Sequence, residues 1–419
     1  MIRMQAHSSQ LIAHRIKGIK SFRLSAISYQ LSALGQSNTQ SKNTANGADD
    51  RKSKTLRIVI AGGGTGGHLF PGVAIAQEFM TRNSQNEIIF VSTGNALEKR
   101  ILSKLNFALE CISVEGIKGR GLWNQIKSIC KLPRGIAGAV RILSRFKPDL
   151  IVGLGSYSAG PVVLAGRLLG IKIVLHEQNL LPGITNRILA RFADMIFVSF
   201  EDTQKHVASR KTKYTGNPVR QDILNSRLHP DARDNAADGQ KPFTVLIIGG
   251  SQGAHTINET VTEALDLLQI KDGLNFVHQT GAADEKLVQD AYQRHNVNSI
   301  VRAFFDDMAE LYKNADLIIC RAGATTVAEI TAIGKAAIFI PFPYAADNHQ
   351  VFNAESLSNN GAAEMILEKD LNAQILSEKI EYYASHPEVV SDMVLKAREF
   401  GNPDAARDIV DECYRLLER

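Results

Sequence analysis

Short apolar runs alternate with longer stretches of helical spacing from residue 56 nearly to the end of the chain. Residues 56–61 (LRIVIA) form a β-branched run that ends in glycines, and 71–80 then read as a helix. The unit recurs at 87–92 (EIIFVS), 149–152 (DLIV), 171–175 (IKIVL) and 195–199 (MIFVS). Strands and helices in this alternation imply a parallel sheet wrapped by helices. Around 216–220 (GNPVR) the pattern pauses, and 225–242 are polar and rich in Asp, Asn and Ala. It resumes at 243–248 (FTVLII), 275–278, 317–320 and 337–341. The predicted class is therefore α/β, with two Rossmann-like, doubly wound parallel-sheet domains. The expected divisions are 1–55 as a disordered basic extension, 56–220 and 243–403 as the domains, 221–242 as a linker, and 404–419 as a final helix able to rest on either domain.

Composition agrees with two ordinary cores. At 419 residues, 44% hydrophobic and 22% charged, the chain is too long for one core and too apolar to be disordered by default. Its four cysteines, Cys111, Cys130, Cys320 and Cys413, show no C-x-x-C spacing, which suggests a reducing compartment without a zinc site or disulfide framework. The uncharged stretch 150–166 is broken by Gly153, Gly155, Gly160 and Pro161 and is shorter than the ~20 residues of a spanning helix.

The net charge of +5 matters through its location. Residues 1–48 carry six Lys or Arg and no Asp or Glu, without the apolar core of a secretory signal, and are expected to be a poorly ordered extension. Residues 116–147 carry Lys118, Arg120, Lys127, Lys131, Arg134, Arg141, Arg145 and Lys147 with no acid, interleaved with Ile117, Leu122, Trp123, Ile126, Ile129 and Leu132. This pattern fits a face that meets an anionic membrane surface, or a solvated basic helix face. Nucleic acid is not an expected partner, because no binding motif is present.

Candidate chemistry sits in three glycine loops. GGGTGGH (62–68) follows a strand and opens a helix, where backbone amides and the helix dipole favour an anion. Gly62, Gly64 and Gly67 satisfy G-x-G-x-x-G, but the second strand ends in Ser92-Thr93 rather than an acid, which disfavours a dinucleotide cofactor. No Lys follows the glycines, so the Walker A reading fails as well. GGSQGA (249–254) occupies the matching place in the second domain. RAGATT (321–326) opens a helix carrying Glu329, placed so that a diphosphate at the helix start would leave a ribose beside that carboxylate.

Taken together, GGGTGGHLFPG (62–72), GLGSYSAGP (153–161), HEQN (176–179), GNPVR (216–220), GGSQGA (249–254), FFDDM (304–308), RAGATTVAE (321–329) and DNHQ (347–350) resemble, in order, the MurG family of bacterial glycosyltransferases. That family adds N-acetylglucosamine from its UDP form to a lipid-linked N-acetylmuramyl-pentapeptide. The resemblance spans about 56–419 and implies a GT-B fold, an inverting transfer in a cleft between domains, and peripheral residence on the cytoplasmic face of the bacterial inner membrane. It implies that Ser251, Phe305, Ala324, Thr325, Thr326, Val327, Ala328, Glu329 and Gln350 contact the UDP-sugar. Thr65, Gly66, Gly67, Asn179 and Arg220 would complete the site. The chain departs from the usual pattern at Ser156, where Gly is common, at Thr325, where Leu is common, and at Asn348 and His349.

An inverting transfer needs a base for the acceptor hydroxyl and stabilisation of the departing diphosphate. His68 is the candidate base, since an imidazole near its ordinary pKa of about 6.5 suits proton transfer. Amides at Gly323 and Ala324, with the Arg220 fork, could meet the leaving charge, so no metal or other cofactor is expected. The chain contains no D-x-D. His176 and Glu177 could orient Asn179 or the acceptor, or form a polar cluster that caps a strand end. Two rival functions are another GT-B lipid glycosyltransferase, such as one acting on diacylglycerol, and a nonenzymatic nucleotide-sugar sensor.

Overall fold

The computed structural model describes residues 55–114, 122–207, 211–227, 241–250 and 253–418. The expected extension (apart from Thr55), Lys118, Arg120, Ser251 and most of the expected linker fall outside these residues.

The first domain alternates β1 (Arg57–Ala61), α1 (Gly66–Arg82), β2 (Glu87–Ser92), α2 (Ala96–Lys104), β3 (Ala108–Cys111), α3 (Leu122–Phe146), β4 (Leu150–Gly153), α4 (Ala159–Leu168), β5 (Lys172–Glu177), α5 (Ile184–Leu189), β6 (Met195–Val198) and β7 (Thr212–Tyr214). After α6 (Gln221–Arg227) come β8 (Phe243–Ile248), α7 (His255–Leu267), β9 (Leu274–Gln279), α8 (Glu285–Arg294), β10 (Asn298–Arg302), α9 (Met308–Asn314), β11 (Leu317–Cys320), α10 (Ala324–Ile333) and β12 (Ala336–Phe339). The chain then runs through α11 (His349–Ser358), β13 (Glu364–Met365), α12 (Ala373–Ser385), α13 (Pro387–Phe400) and α14 (Ala405–Leu417).

Two parallel sheets result, with strand orders β3-β2-β1-β4-β5-β6-β7 and β10-β9-β8-β11-β12-β13. In each sheet the order reverses beside its first strand, between β1 and β4 and between β8 and β11. Ligands of open α/β sheets bind at such switch points, beyond the carboxyl ends of the strands. The three glycine loops lie there, following β1, β8 and β11. The central strands are buried because helices cover both faces of each sheet, which is why they read as continuous apolar runs.

Two features differ from the sequence reading, and a third settles a choice that it left open. Helix α1 begins at Gly66, five residues earlier than expected, so Pro71 lies inside it. The start of the expected linker is helical, and Val219 and Ile223 are buried in the second domain's core with Tyr312 and Ile330. The final helix, α14, packs on the first domain, where Ile409, Val410 and Cys413 join Phe79 and Ile75. The second domain's last helix therefore returns across the boundary, and Asn402 Nδ2 donates to the Thr215 carbonyl at 2.7 Å where the two crossings meet.

Candidate active site

Gly62 and Gly64 adopt φ of +117° and +93°, a backbone region that side chains disfavour, and they turn the chain sharply between β1 and α1. The nest they create is already filled. Gly64 N donates to Glu98 Oε1 at 2.6 Å, and Gly63 N donates to Ser156 Oγ at 3.0 Å. Glu98 also accepts from Ser92 Oγ at 2.5 Å and closes a capping box with Asn95 at the start of α2. The first loop was expected to form an anion site from its backbone amides and the helix dipole. A buried carboxylate instead occupies its middle, leaving the helix-start residues Thr65, Gly66 and Gly67 partly or fully exposed. Ser156, the departure from the family pattern, supplies a hydroxyl that holds this loop.

His68 follows in the first turn of α1. Its Nδ1 lies 3.3 Å from Thr65 Oγ1, and burial of the ring, reinforced by His349 of the other domain, lowers its pKa to about 4. His176, fully buried at the end of β5, is lowered to about 4 by burial, with His68 contributing; its Nε2 lies 3.3 Å from the Gly216 carbonyl. Three imidazoles thus converge electrostatically on the boundary between the domains.

Glu177 resolves the ambiguity of the HEQN segment. Its Oε1 accepts from Asn179 N at 3.0 Å and Asn179 Nδ2 at 3.3 Å, while Oε2 accepts from Gly183 N at 3.0 Å and Asn186 Nδ2 at 2.9 Å. Burial raises its pKa, and those donors pull the other way. Glu177 thereby fixes the half-buried Asn179.

In the second domain, Gly250 and Gly253 take φ of +87° and +79°. Gln279, at the end of β9, donates to the Gly250 carbonyl at 3.1 Å and accepts from Phe305 N at 3.0 Å. It therefore joins two segments that the sequence indicated separately; its only signal was a polar side chain ending an apolar strand. Gly323 caps α10, which carries Ala324 to Ala328 in its first turns. Val327 is buried in the core beneath, so its side chain belongs to packing and only its backbone is available to a ligand. Gln350 Oε1 accepts from Phe342 N at 2.9 Å.

Glu329 is not an open acceptor. Arg220 Nη2 reaches its Oε1 at 3.3 Å and the Tyr312 hydroxyl donates to its Oε2 at 3.0 Å, with the Arg220 and Glu329 side chains 11% and 6% exposed. Arg220 also stacks over Phe70 of α1 with 4.2 Å to the ring centroid. Its Nε is buried without a partner among the described atoms.

The two loop systems touch directly. Thr325 Oγ1 donates to the Gly67 carbonyl at 3.0 Å, Leu180 N donates to Asn353 Oδ1 at 3.3 Å, and Arg100 stacks over Phe304 at 4.2 Å. Among the described residues no helix is long and apolar enough to cross a membrane.

Two Rossmann-like sheets whose switch-point loops meet across one boundary define the GT-B fold. Residues 58–198 match the glycosyltransferase family 28 N-terminal domain and residues 244–409 its C-terminal domain. The chain is 47% identical, over 87% of its length and 99% of the relative, to the UDP-N-acetylglucosamine–N-acetylmuramyl-(pentapeptide) pyrophosphoryl-undecaprenol N-acetylglucosamine transferase of Syntrophus aciditrophicus. The Myxococcus xanthus protein of the same name is 44% identical over 86% of the chain and 93% of the relative. The crystal structure of Acinetobacter baumannii MurG superposes with a TM-score of 0.66 at 32% identity, covering 85% of this chain and 98% of that one. The chain belongs to the MurG family of N-acetylglucosaminyltransferases.

Proposed function

We infer that this chain transfers N-acetylglucosamine from UDP-N-acetylglucosamine to undecaprenyl-pyrophosphoryl-N-acetylmuramyl-pentapeptide, with inversion at the sugar carbon. The observation that carries the reading is the contact of the α1 loop with the first turn of α10 through Thr325 and Gly67. A sugar nucleotide beside this contact would meet the helix-start amides of α10 on one side and His68 on the other.

In this mechanism His68 accepts the proton of the acceptor hydroxyl as its oxygen bonds to C1, and the bond from C1 to the diphosphate oxygen breaks. With a pKa lowered to about 4 the ring is neutral at pH 7 and has a free lone pair for the proton, although it is a weaker base than the ordinary imidazole expected from the sequence. The charge released on the diphosphate falls on the Gly323 and Ala324 amides and on Arg220, so the step requires no divalent ion. The contact set on the donor is Ser251, Phe305, Ala324, the Thr325 backbone, Thr326, the Val327 backbone, Ala328, Glu329 and Gln350, with Thr65, Gly66, Gly67 and Asn179 closing from the first domain. Because Arg220 and Tyr312 hold Glu329, ribose hydroxyls would use the carboxylate's remaining lone pairs.

The acceptor is a lipid, and the basic, acid-free segment 116–147, most of it in α3, would bring the enzyme to an anionic membrane surface on the cytoplasmic side. The decisive experiment combines purified protein, UDP-N-acetylglucosamine and lipid-linked muramyl-pentapeptide in EDTA. The expected result is acceptor-dependent release of UDP with a disaccharide product. Donor binding without UDP release would favour the sensor, and product formed on diacylglycerol instead would favour the other lipid glycosyltransferase.

A further inference from the structure

Pro71 sits inside α1, at the position whose N–H would normally donate to the Gly67 carbonyl one turn earlier. Proline has no N–H, so the carbonyl loses that helical donor at the point where α1 faces the second domain. The donor found there comes from across the boundary: Thr325 Oγ1, on the first turn of α10, at 3.0 Å. Thr325 is itself buried, and α1 packs along α10 at this place. Its hydroxyl is therefore spent on the opposite loop rather than turned toward a ligand.

We propose that Pro71 and Thr325 form an interdomain latch, in which a helix carbonyl deprived of its own donor serves as the docking acceptor for the hydroxyl of the donor-site helix. Closing the domains then satisfies a carbonyl that, with the cleft open, only water can serve. The latch fixes Gly67, and with it the adjoining His68, in register with the α10 amides. Thr325 acts as a positioning residue through Gly67 and does not touch the reacting atoms. The proposal deepens the transfer reading by naming what aligns its two halves, and it rests on that reading only for its kinetic readout.

The test uses the full chain and five forms: wild type, Thr325→Val, Thr325→Ser, Pro71→Ala, and Pro71→Ala combined with Thr325→Val. Valine keeps the shape of threonine and removes the donor, serine keeps the donor, and alanine at 71 gives Gly67 a partner within its own helix. Amide hydrogen exchange of residues 65–70 and steady-state transfer are measured for each, with UDP affinity by calorimetry. Thr325→Val is expected to speed exchange in that segment and to lower kcat by about 2- to 10-fold, the range of one neutral hydrogen bond, with UDP affinity held within about twofold. Thr325→Ser restores both, and in the Pro71→Ala background Thr325→Val changes exchange by less than about twofold. Wild-type exchange in Thr325→Val, failure of serine to rescue, or an undiminished valine effect in the Pro71→Ala background would each overturn the latch. If the wild-type chain transferred no sugar, the transfer reading would fall while exchange still decided the latch.

Discussion

Arg220 Nη2 lies 3.3 Å from Glu329 Oε1, joining the junction between the domains to the interior of α10. Neither group would be tolerated alone at this depth. Burial raises the Glu329 pKa while Arg220 and Tyr312 oppose that rise. For Arg220, burial works against the charge and the carboxylates of Glu329 and Asp222 outweigh it. The pair is thus mutually dependent, and Phe70 covers the guanidinium face.

Arg220→Met should consequently leave a buried carboxylate without its cation, at a cost of about 3–5 kcal/mol. Tyr312→Phe removes one hydrogen bond and should cost about 1 kcal/mol. Urea unfolding of the two variants checks the order; equal losses would mean the ion pair contributes nothing beyond a neutral bond.

Two fully buried histidines contribute to the response to acid. His176 is lowered to about 4 and His278 to about 3, chiefly by burial, whereas an unfolded histidine titrates near 6.5. Below pH 6.5 the unfolded chain binds protons that the folded chain refuses, so stability is full above that pH and falls as pH drops toward 3–4. Each histidine contributes up to about 1.4 kcal/mol per pH unit in that window. Urea midpoints from pH 7 to 4 should fall, and His278→Gln should flatten the slope relative to its own value at pH 7.

His68→Ala is expected to reduce kcat by about 10²- to 10⁴-fold, as for a lost general base, with donor affinity changed far less. In the wild type the acid limb of kcat/KM should lie nearer pH 4 than 6.5, because the ring stays neutral over that interval. Turnover near wild type in His68→Ala would remove the residue from the mechanism.

Gly253 combines φ of +79° with a backbone neighbour: a Cβ there would stand 2.1 Å from the Thr280 carbonyl oxygen. Gly253→Ala must therefore displace either loop 249–254 or the end of β9. UDP affinity by calorimetry should fall at least about tenfold, since one displaced charge-assisted hydrogen bond already accounts for that much.

Changing Lys127, Lys131 and Arg134 together to Gln should weaken sedimentation with anionic vesicles by about 100-fold at low salt, at roughly 1 kcal/mol per basic residue. Neutral vesicles should show little difference. Unchanged binding to anionic vesicles would assign the basic segment to solvent.

The nine interior strands are all visible in the sequence, whereas the four it does not reveal, β3, β7, β10 and β13, are the outer strands of the two sheets. ALEC, TKY, NSIVR and EM lack the apolar runs of their neighbours because an edge strand is only partly covered. The glycine loops were legible for the opposite reason, since sharp turns at strand ends demand glycine whatever surrounds them. What occupies those loops was not. Glu98 lies 34 residues beyond Gly64, and nothing in its local pattern marks it as the group filling the first nest.

The sequence by itself determined the two alternating domains, the positions of their loops and the residue types available for phosphate and proton chemistry, because strand runs and turns are local requirements. Only the tertiary structure decided that Arg220 and Tyr312 hold Glu329, that Glu98 fills the first loop, and that Thr325 reaches the carbonyl below Pro71. Those pairings depend on burial and on which unsatisfied donor or acceptor folding brings alongside, and residue spacing carries no record of either.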